Sequence, residues 1–173
     1  MSIPAPRIEE ARALVRGFTL LAAATGAVPS PGASGALILE NAAMFAAVGG
    51  TLGVPVTVES VLTSVGLFGS LNMAGRQLFV EGAKLLGWAT GPLGLPALCA
   101  WGAATAAGQT WALGQLAIAI ARNGGGPLSP SATRKVLDEG LAEFSSDRWR
   151  AGRVVMPGRT SGGPERAERH PPA

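Results

Sequence analysis

The sequence predicts an all-α fold, an apolar helical bundle of about five helices with a Gly/Ala-rich helical hairpin inside it, and three observations predict it. Apolar stretches of helical length are separated by Pro/Gly clusters at Pro29-Ser30-Pro31-Gly32, Gly53-Val54-Pro55 and Gly91-Pro92-Leu93-Gly94-Leu95-Pro96. Pro cannot continue a helix from the preceding turn, and Gly costs backbone entropy there. No segment alternates apolar and polar residues with the period of two that a half-buried strand needs. Finally, thirty-seven consecutive residues, Leu85 to Ala121, carry no charge. Past the Gly/Pro cluster they leave one helix from about Ala97 to Ala121. At 1.5 Å per residue it is roughly 37 Å long, against about 30 Å for the hydrocarbon core of a bilayer.

Taken in order, the elements have recognisable starts and stops. Pro6 suits the first turn of a helix that reaches about Ala27, with Glu9 and Glu10 near its positive end. This helix begins amphipathic and turns wholly apolar through Phe18, Leu20 and Leu21, which predicts oblique entry into a core or a membrane. A second helix fits Ala33 to about Gly50. Glu40 is its odd feature, because a carboxylate in an apolar helix is costly unless it faces water, a helix end or a partner. An exposed rim position and a buried pair with Arg76 or Lys84 are both open. Thr57 is an N-cap, with Glu59 in the first turn, for a third helix from Val58 towards Leu86. Gly66, Ser70 and Ala74 give that helix a small ridge at four-residue spacing.

The long helix is apolar but diluted: ten of the twenty-five residues from Ala97 to Ala121 are Ala. Ala100, Ala104, Gly108 and Ala112 form a second four-residue ridge, and such ridges let two helix backbones approach closely where lipid removes the hydrophobic drive. The amides of Gln109 and Gln115 then need a partner helix or a wet cleft, since an unpaired amide in hydrocarbon is expensive. A membrane hairpin of the third and long helices satisfies these constraints. So does the crowded central helix of a soluble bundle. Ser129-Pro130 next supplies an N-cap followed by Pro at the first helical position. The helix it opens runs to about Trp149, with Val136, Leu137, Leu141 and Phe144 on its apolar face. From Gly152 the Gly/Pro/Arg-rich sequence predicts a disordered tail, so that residues 1–150 form the helical domain and 151–173 the tail.

Charge is scarce and segregated. Charged residues make up 14% of the chain, where soluble domains carry roughly a quarter. Between Gly17 and Ala121 the only ones are Glu40, Glu59, Arg76, Glu81 and Lys84. So few charges cannot cover a soluble surface of that size, which argues for lipid or a large partner interface. The basic ends give a pI near 10.0. A dense Arg/Lys stripe with interleaved aromatics is missing, so no nucleic-acid partner is expected. Basic ends beside an apolar domain point instead to cytoplasmic termini and anionic headgroups. The start of the chain lacks a basic region running directly into a short apolar run with a cleavage site, so no cleaved signal peptide is expected.

Chemistry is sought without result. The one cysteine, Cys99, lies in the apolar helix, and the one histidine, His170, lies in the tail. Ser-His-Asp, Cys-His and His- or Cys-based metal sites are therefore absent from the sequence. No phosphate-binding G-x-x-x-x-G-K-[S/T] loop occurs. The carboxylate pairs Glu9-Glu10 and Asp138-Glu139 lie on polar helix faces. Trp88 and Trp149 suit an interface belt, whereas Trp101 and Trp111 are expected to pack. No enzyme and no cofactor are expected.

Three segments carry a resemblance: Ala24 to Gly32 (ATGAVPSPG), the helix end Met44-Phe45-Ala46-Ala47-Val48-Gly49-Gly50, and Pro92 to Ala121, whose latter part runs on as GAATAAGQTWALGQLAIAIARNGG. Together, over about Ala11 to Phe144, the pattern resembles the YcjF-like family, a membrane-associated helical domain of unknown function that often follows an Era-type GTPase domain. No GTPase domain is expected before it in this chain, which is a departure from that arrangement. The resemblance implies a bacterial inner-membrane helical domain with a GTPase partner supplied by another chain, and it carries over no catalytic residue. The function expected is thus non-catalytic: anchoring or recruiting a partner at the cytoplasmic face of the membrane. The alternative is a homo-oligomer that perturbs or permeates membranes through its Gly/Ala hairpin.

Overall fold

A computed structural model describes residues 3–28, 32–66 and 95–151. It is all-helical over these residues: α1 (Ala5–Ala27), α2 (Ala33–Leu52), α3 (residues 58–66), α4 (Leu95–Arg122) and α5 (Pro130–Ala151), with no strand among the described residues. The Pro/Gly clusters fall at the helix boundaries. Gly53 ends α2 with φ +69°, a left-handed conformation that only Gly adopts cheaply.

Helix α4 is the element the others pack on. It touches α1, α2 and α5, whereas α5 touches neither α1 nor α2 among the described residues. The long apolar helix is therefore central in a protein bundle. The expected hairpin between the third helix and α4 lies largely outside the described residues, and the partners seen on α4 are α1, α2 and α5. Gly66, the last described residue of α3, has φ +72°, and the expected continuation towards Leu86 lies outside the described residues. By length and composition the one described helix fit to cross a bilayer is α2, a third of it buried. Helix α4, at 28 residues, has the length expected of it, but its Ala, Gly, Thr and Gln content keeps its hydropathy below that of α2.

Side chains set the directions of the helices. Gly26 of α1 lies against Gly102 and Ala106 of α4, and Val15 lies against Gly114, so α1 and α4 are antiparallel. Gly108 faces Phe144 and Gly140 faces Ala112, so α4 and α5 are antiparallel as well. The start of α1, the end of α2 and the end of α4 thus meet at one end of the bundle. There Gly125, φ +85°, sits so close to the α2–α3 connection that a Cβ would come within 2.6 Å of the Pro55 carbonyl oxygen. Ser64 Oγ ties α3 to the α4–α5 connection by accepting from Leu128 N–H at 3.0 Å.

The main core joins Val15, Met44, Phe45, Val48, Trp111, Leu116 and Ile120. On its far side α5 docks through Val136, Leu137 and Phe144, with Thr133 and Gly140 buried beneath it. Two of the local start signals hold, while Glu9 and Glu10 fall beyond the first turn of α1. Ser60 N–H donates to Thr57 Oγ1 at 3.1 Å and Thr57 N–H to Ser60 Oγ at 3.2 Å, a reciprocal cap. Ala132 N–H donates to Ser129 Oγ at 3.3 Å, with Pro130 as the first helical residue. The tail from Gly152 lies outside the described residues.

Candidate functional site

The surface of α1 and α2 that faces away from α4 is where this molecule departs from an ordinary soluble bundle. On α1 the buried stripe is Ala11, Val15, Thr19, Ala22 and Gly26, small residues with one Val among them. The exposed stripe carries Leu20, Leu21 and Val28. A soluble helix normally hides its largest apolar side chains, because each one buried is worth about 1.5–3 kcal/mol. Here the order is inverted. The cause is the tightness of the α1–α4 seam: a Cβ on Gly26 would lie 2.5 Å from Ala106 Cβ and 2.8 Å from the Gly102 carbonyl oxygen. Gly102, Ala106, Thr110 and Gly114 repeat every four residues and are all buried, so the backbones come close enough to leave no room for leucine.

Helix α2 continues this surface. It buries Leu37, Met44, Phe45, Val48 and Leu52 but exposes Ile38 and Leu39, followed by only Ala43, Ala46 and Gly50 towards its end. Five of the bulky exposed side chains thus lie on the C-terminal half of α1, just past its end, and on the N-terminal half of α2, while Val58 and Leu62 of α3 and Leu141 of α5 are exposed elsewhere. Exposure among these five runs from 48% for Leu21 to 73% for Leu20 and Leu39. Trp101, near the start of α4 and so at the same end, is 48% exposed; the expectation that it packs is corrected, whereas Trp111 is buried as expected. Beside this surface an open, mainly apolar groove of about 460 Å³ follows Glu10, Ala13, Leu14, Gly17, Phe18 and Leu21.

Glu40 is the one charged residue between Gly17 and Glu59. It is half-buried and accepts a hydrogen bond from Thr25 Oγ1 at 2.6 Å, while its Oε2 is buried without a partner. The bond joins the end of α1 to the middle of α2. The pair weighed for Glu40 with Arg76 or Lys84 involves residues outside those described.

The opposite side of the bundle is charged. Helix α5 presents Arg134–Asp138 and Lys135–Glu139 pairs at 3.8 and 4.0 Å, all four side chains well exposed. Such pairs add little stability, but they make that face fully compatible with water.

The remaining residues singled out from the sequence are divided among several places. Gly108 and Ala112 lie under α5, Ala104 is half-buried and Ala100 is exposed, so this ridge does not present one face to one partner helix. Gln109 and Gln115 are half-buried, each with a buried Nε2 that has no hydrogen-bond partner. Gln115 lies beside Gly140 of α5. Gly66 is half-buried at the end of α3. Ser70, Ala74, Arg76 and Trp88 lie outside the described residues, and so does the Trp149 side chain. Cys99 is half-buried and free. No group of three or more metal-ligating side chains occurs among the described residues.

The ridge Gly102-Ala106-Thr110-Gly114 and the exposed Leu20, Leu21, Ile38 and Leu39 were not singled out from the sequence as a seam and a surface. Four-residue spacing is present in both α4 ridges, so spacing alone does not choose between them. No protein-family model, curated protein or solved structure matches the chain, so the YcjF-like resemblance rests on the segments quoted for it.

Proposed function

We propose that this is a non-catalytic, membrane-associated helical protein that holds a partner at the cytoplasmic face of a membrane. The observation that carries the reading is the inversion on α1, with small residues against α4 and Leu20 and Leu21 outward. Small residues between helices and bulky apolar residues outside is the arrangement suited to lipid, where packing replaces the hydrophobic drive. The charged outer face of α5 is the surface left to a protein partner, and the resemblance described above makes a GTPase in trans the class of partner to test first.

Flotation of the purified full chain with phosphatidylcholine/phosphatidylglycerol vesicles tests the membrane part. Co-flotation is expected, and a protein left at the bottom of the gradient would sink the reading. Dye release from the same vesicles would replace anchoring with permeation. Charge reversal at Lys135 and Glu139 should leave flotation intact and release a membrane-recruited partner from the cell's membrane fraction. Retention of that partner would remove α5 as the recruiting face.

A further inference from the structure

We infer that α5 is a releasable cover: it lifts from α4 as a unit, pivoting at Ser129, while α1, α2 and α4 stay folded. Such opening does not depend on the membrane reading above.

The hold on α5 is weak. Up to Ser145 its buried residues are Thr133 and Gly140, whereas Val136, Leu137 and Phe144 are half-buried and Leu141 is exposed. No large apolar side chain of this stretch is fully inside. Helix α1, by contrast, buries Ala11, Val15 and Ala22 completely. Hydrophobic stabilisation grows with the apolar area removed from water, so α5 is held less firmly than α1. It also has fewer neighbours: among the described residues α5 packs on α4 alone, while α1 packs on both α4 and α2.

The seat beneath α5 is imperfectly matched as well. Thr133 Oγ1 is buried there without a hydrogen-bond partner. So is Nε2 of Gln115, whose side chain lies beside Gly140. A buried polar group left unpaired carries its full desolvation cost. Water reaches both groups once α5 lifts, which offsets part of what is lost when Phe144 leaves Gly108. Closed, α5 hides Gly108 and Ala112. Open, it presents that small-residue ridge of α4.

The connection marks where the movement starts. Gly125 is packed against Pro55, and Leu128 N–H donates to Ser64 Oγ at 3.0 Å. The chain is thus fixed to the α2–α3 side as far as Leu128. Pro130 is the first residue of α5, and Ser129, between the two, is the residue left to turn. Its hydroxyl caps Ala132 N–H at 3.3 Å, a bond that travels with the helix. The outer face already carries exposed Arg134, Lys135, Asp138 and Glu139, so the lifted helix keeps a side suited to water.

Native-state hydrogen exchange on the full chain tests this. Backbone amides of residues 134–145 should be about a hundredfold less protected than those of residues 114–121, because a lone helix is marginal in water and frays once lifted. Low urea should speed exchange steeply in α4 and hardly at all in α5. Val48→Ala weakens the core on α2, which α5 does not touch among the described residues. It should lower α4 protection about tenfold and leave α5 protection unchanged. Thr133→Val, which removes the unpartnered hydroxyl and keeps the shape, should slow exchange in α5 about threefold. Equal protection and equal urea dependence in the two helices would overturn the inference, and the urea comparison needs no variant. A fall in α5 protection with Val48→Ala would overturn it too. Exchange of α5 at the rate of an unstructured chain would do the same, since no closed form would then exist. Protection of α5 that rises with protein concentration would overturn it in favour of a cover exchanged between two copies. Unchanged exchange in Thr133→Val would overturn the part assigned to the unpaired hydroxyl.

Discussion

At the scale of single residues, glycines decide how near α1 comes to α4. Gly114 and Gly17 illustrate opposite cases. A Cβ on Gly114 would run into both methyl groups of Val15, whereas Gly17 has nothing within 4 Å of that position. Gly114→Ala should therefore lower stability by about 1–3 kcal/mol, the usual range for overpacking. Gly17→Ala should raise it by a few tenths to about 1 kcal/mol, because Ala is the better helix former. Urea unfolding of the two variants checks this, and Val15→Ala combined with Gly114→Ala should recover part of the loss, as contacting pairs do. Gly108, whose added Cβ would sit 3.5 Å from the Phe144 ring, should accept Ala but not Leu. The Thr25–Glu40 bond makes a second case. Thr25→Val leaves the half-buried carboxylate without its one partner and should cost about 1–2 kcal/mol, whereas Thr25→Ser should cost much less. Equal losses for Val and Ser in thermal unfolding would mean that the methyl group matters and the hydrogen bond does not.

Among the elements, α5 separates most clearly into two roles. Its inner residues Val136, Leu137 and Phe144 cover α4, and its outer residues carry the charges. Ending the chain at Pro127 should expose Gly108, Ala112 and the neighbouring core and so reduce cooperative unfolding or produce aggregation. Ending it at Ala151 retains every described helix and should unfold like the full chain. Comparable unfolding curves for all three lengths would show that α4 needs no cover from α5. Helix α2 also has two sides. It contributes Met44, Phe45 and Val48 to the core yet exposes Ile38 and Leu39, so its apolar character all round answers to two different surroundings.

For the molecule as a whole, the arrangement separates an apolar end of the α1–α2 pair from a charged α5 on the other side of α4. A ligand that binds only the folded state stabilises it in proportion to its concentration over its dissociation constant. Anionic vesicles should therefore raise the Tm of the wild-type chain, by several degrees at saturating lipid. The double variant Leu20→Glu, Leu39→Glu should keep the vesicle-free Tm, since both side chains are exposed, and should lose the lipid-dependent rise. A vesicle-free Tm that falls with this variant would show that these leucines are held by protein. A rise that persists would move the lipid contact elsewhere.

The sequence by itself determined the helices and most of their ends, because these depend on local chemistry. Proline and glycine interrupt a helix wherever they stand, and Thr57, Ser129 and Pro130 act within one turn of themselves. It also determined that charge would be confined to a few places, since composition is independent of folding. Which side of each helix turns inward was decided only by the tertiary structure. Hydrophobicity leaves Leu20 and Leu21 open to a core or a membrane, and Ala100-Ala104-Gly108-Ala112 reads as a seam as readily as Gly102-Ala106-Thr110-Gly114. The choice between the two ridges is a rotation of α4 about its axis, and it is settled by contacts many residues apart, Gly26 with Gly102 and Val15 with Gly114. Once that seam closes on small residues, the leucines of α1 have no space inside. Their exposure, and with it the candidate surface, follows from steric fit between distant segments, to which local patterning is blind.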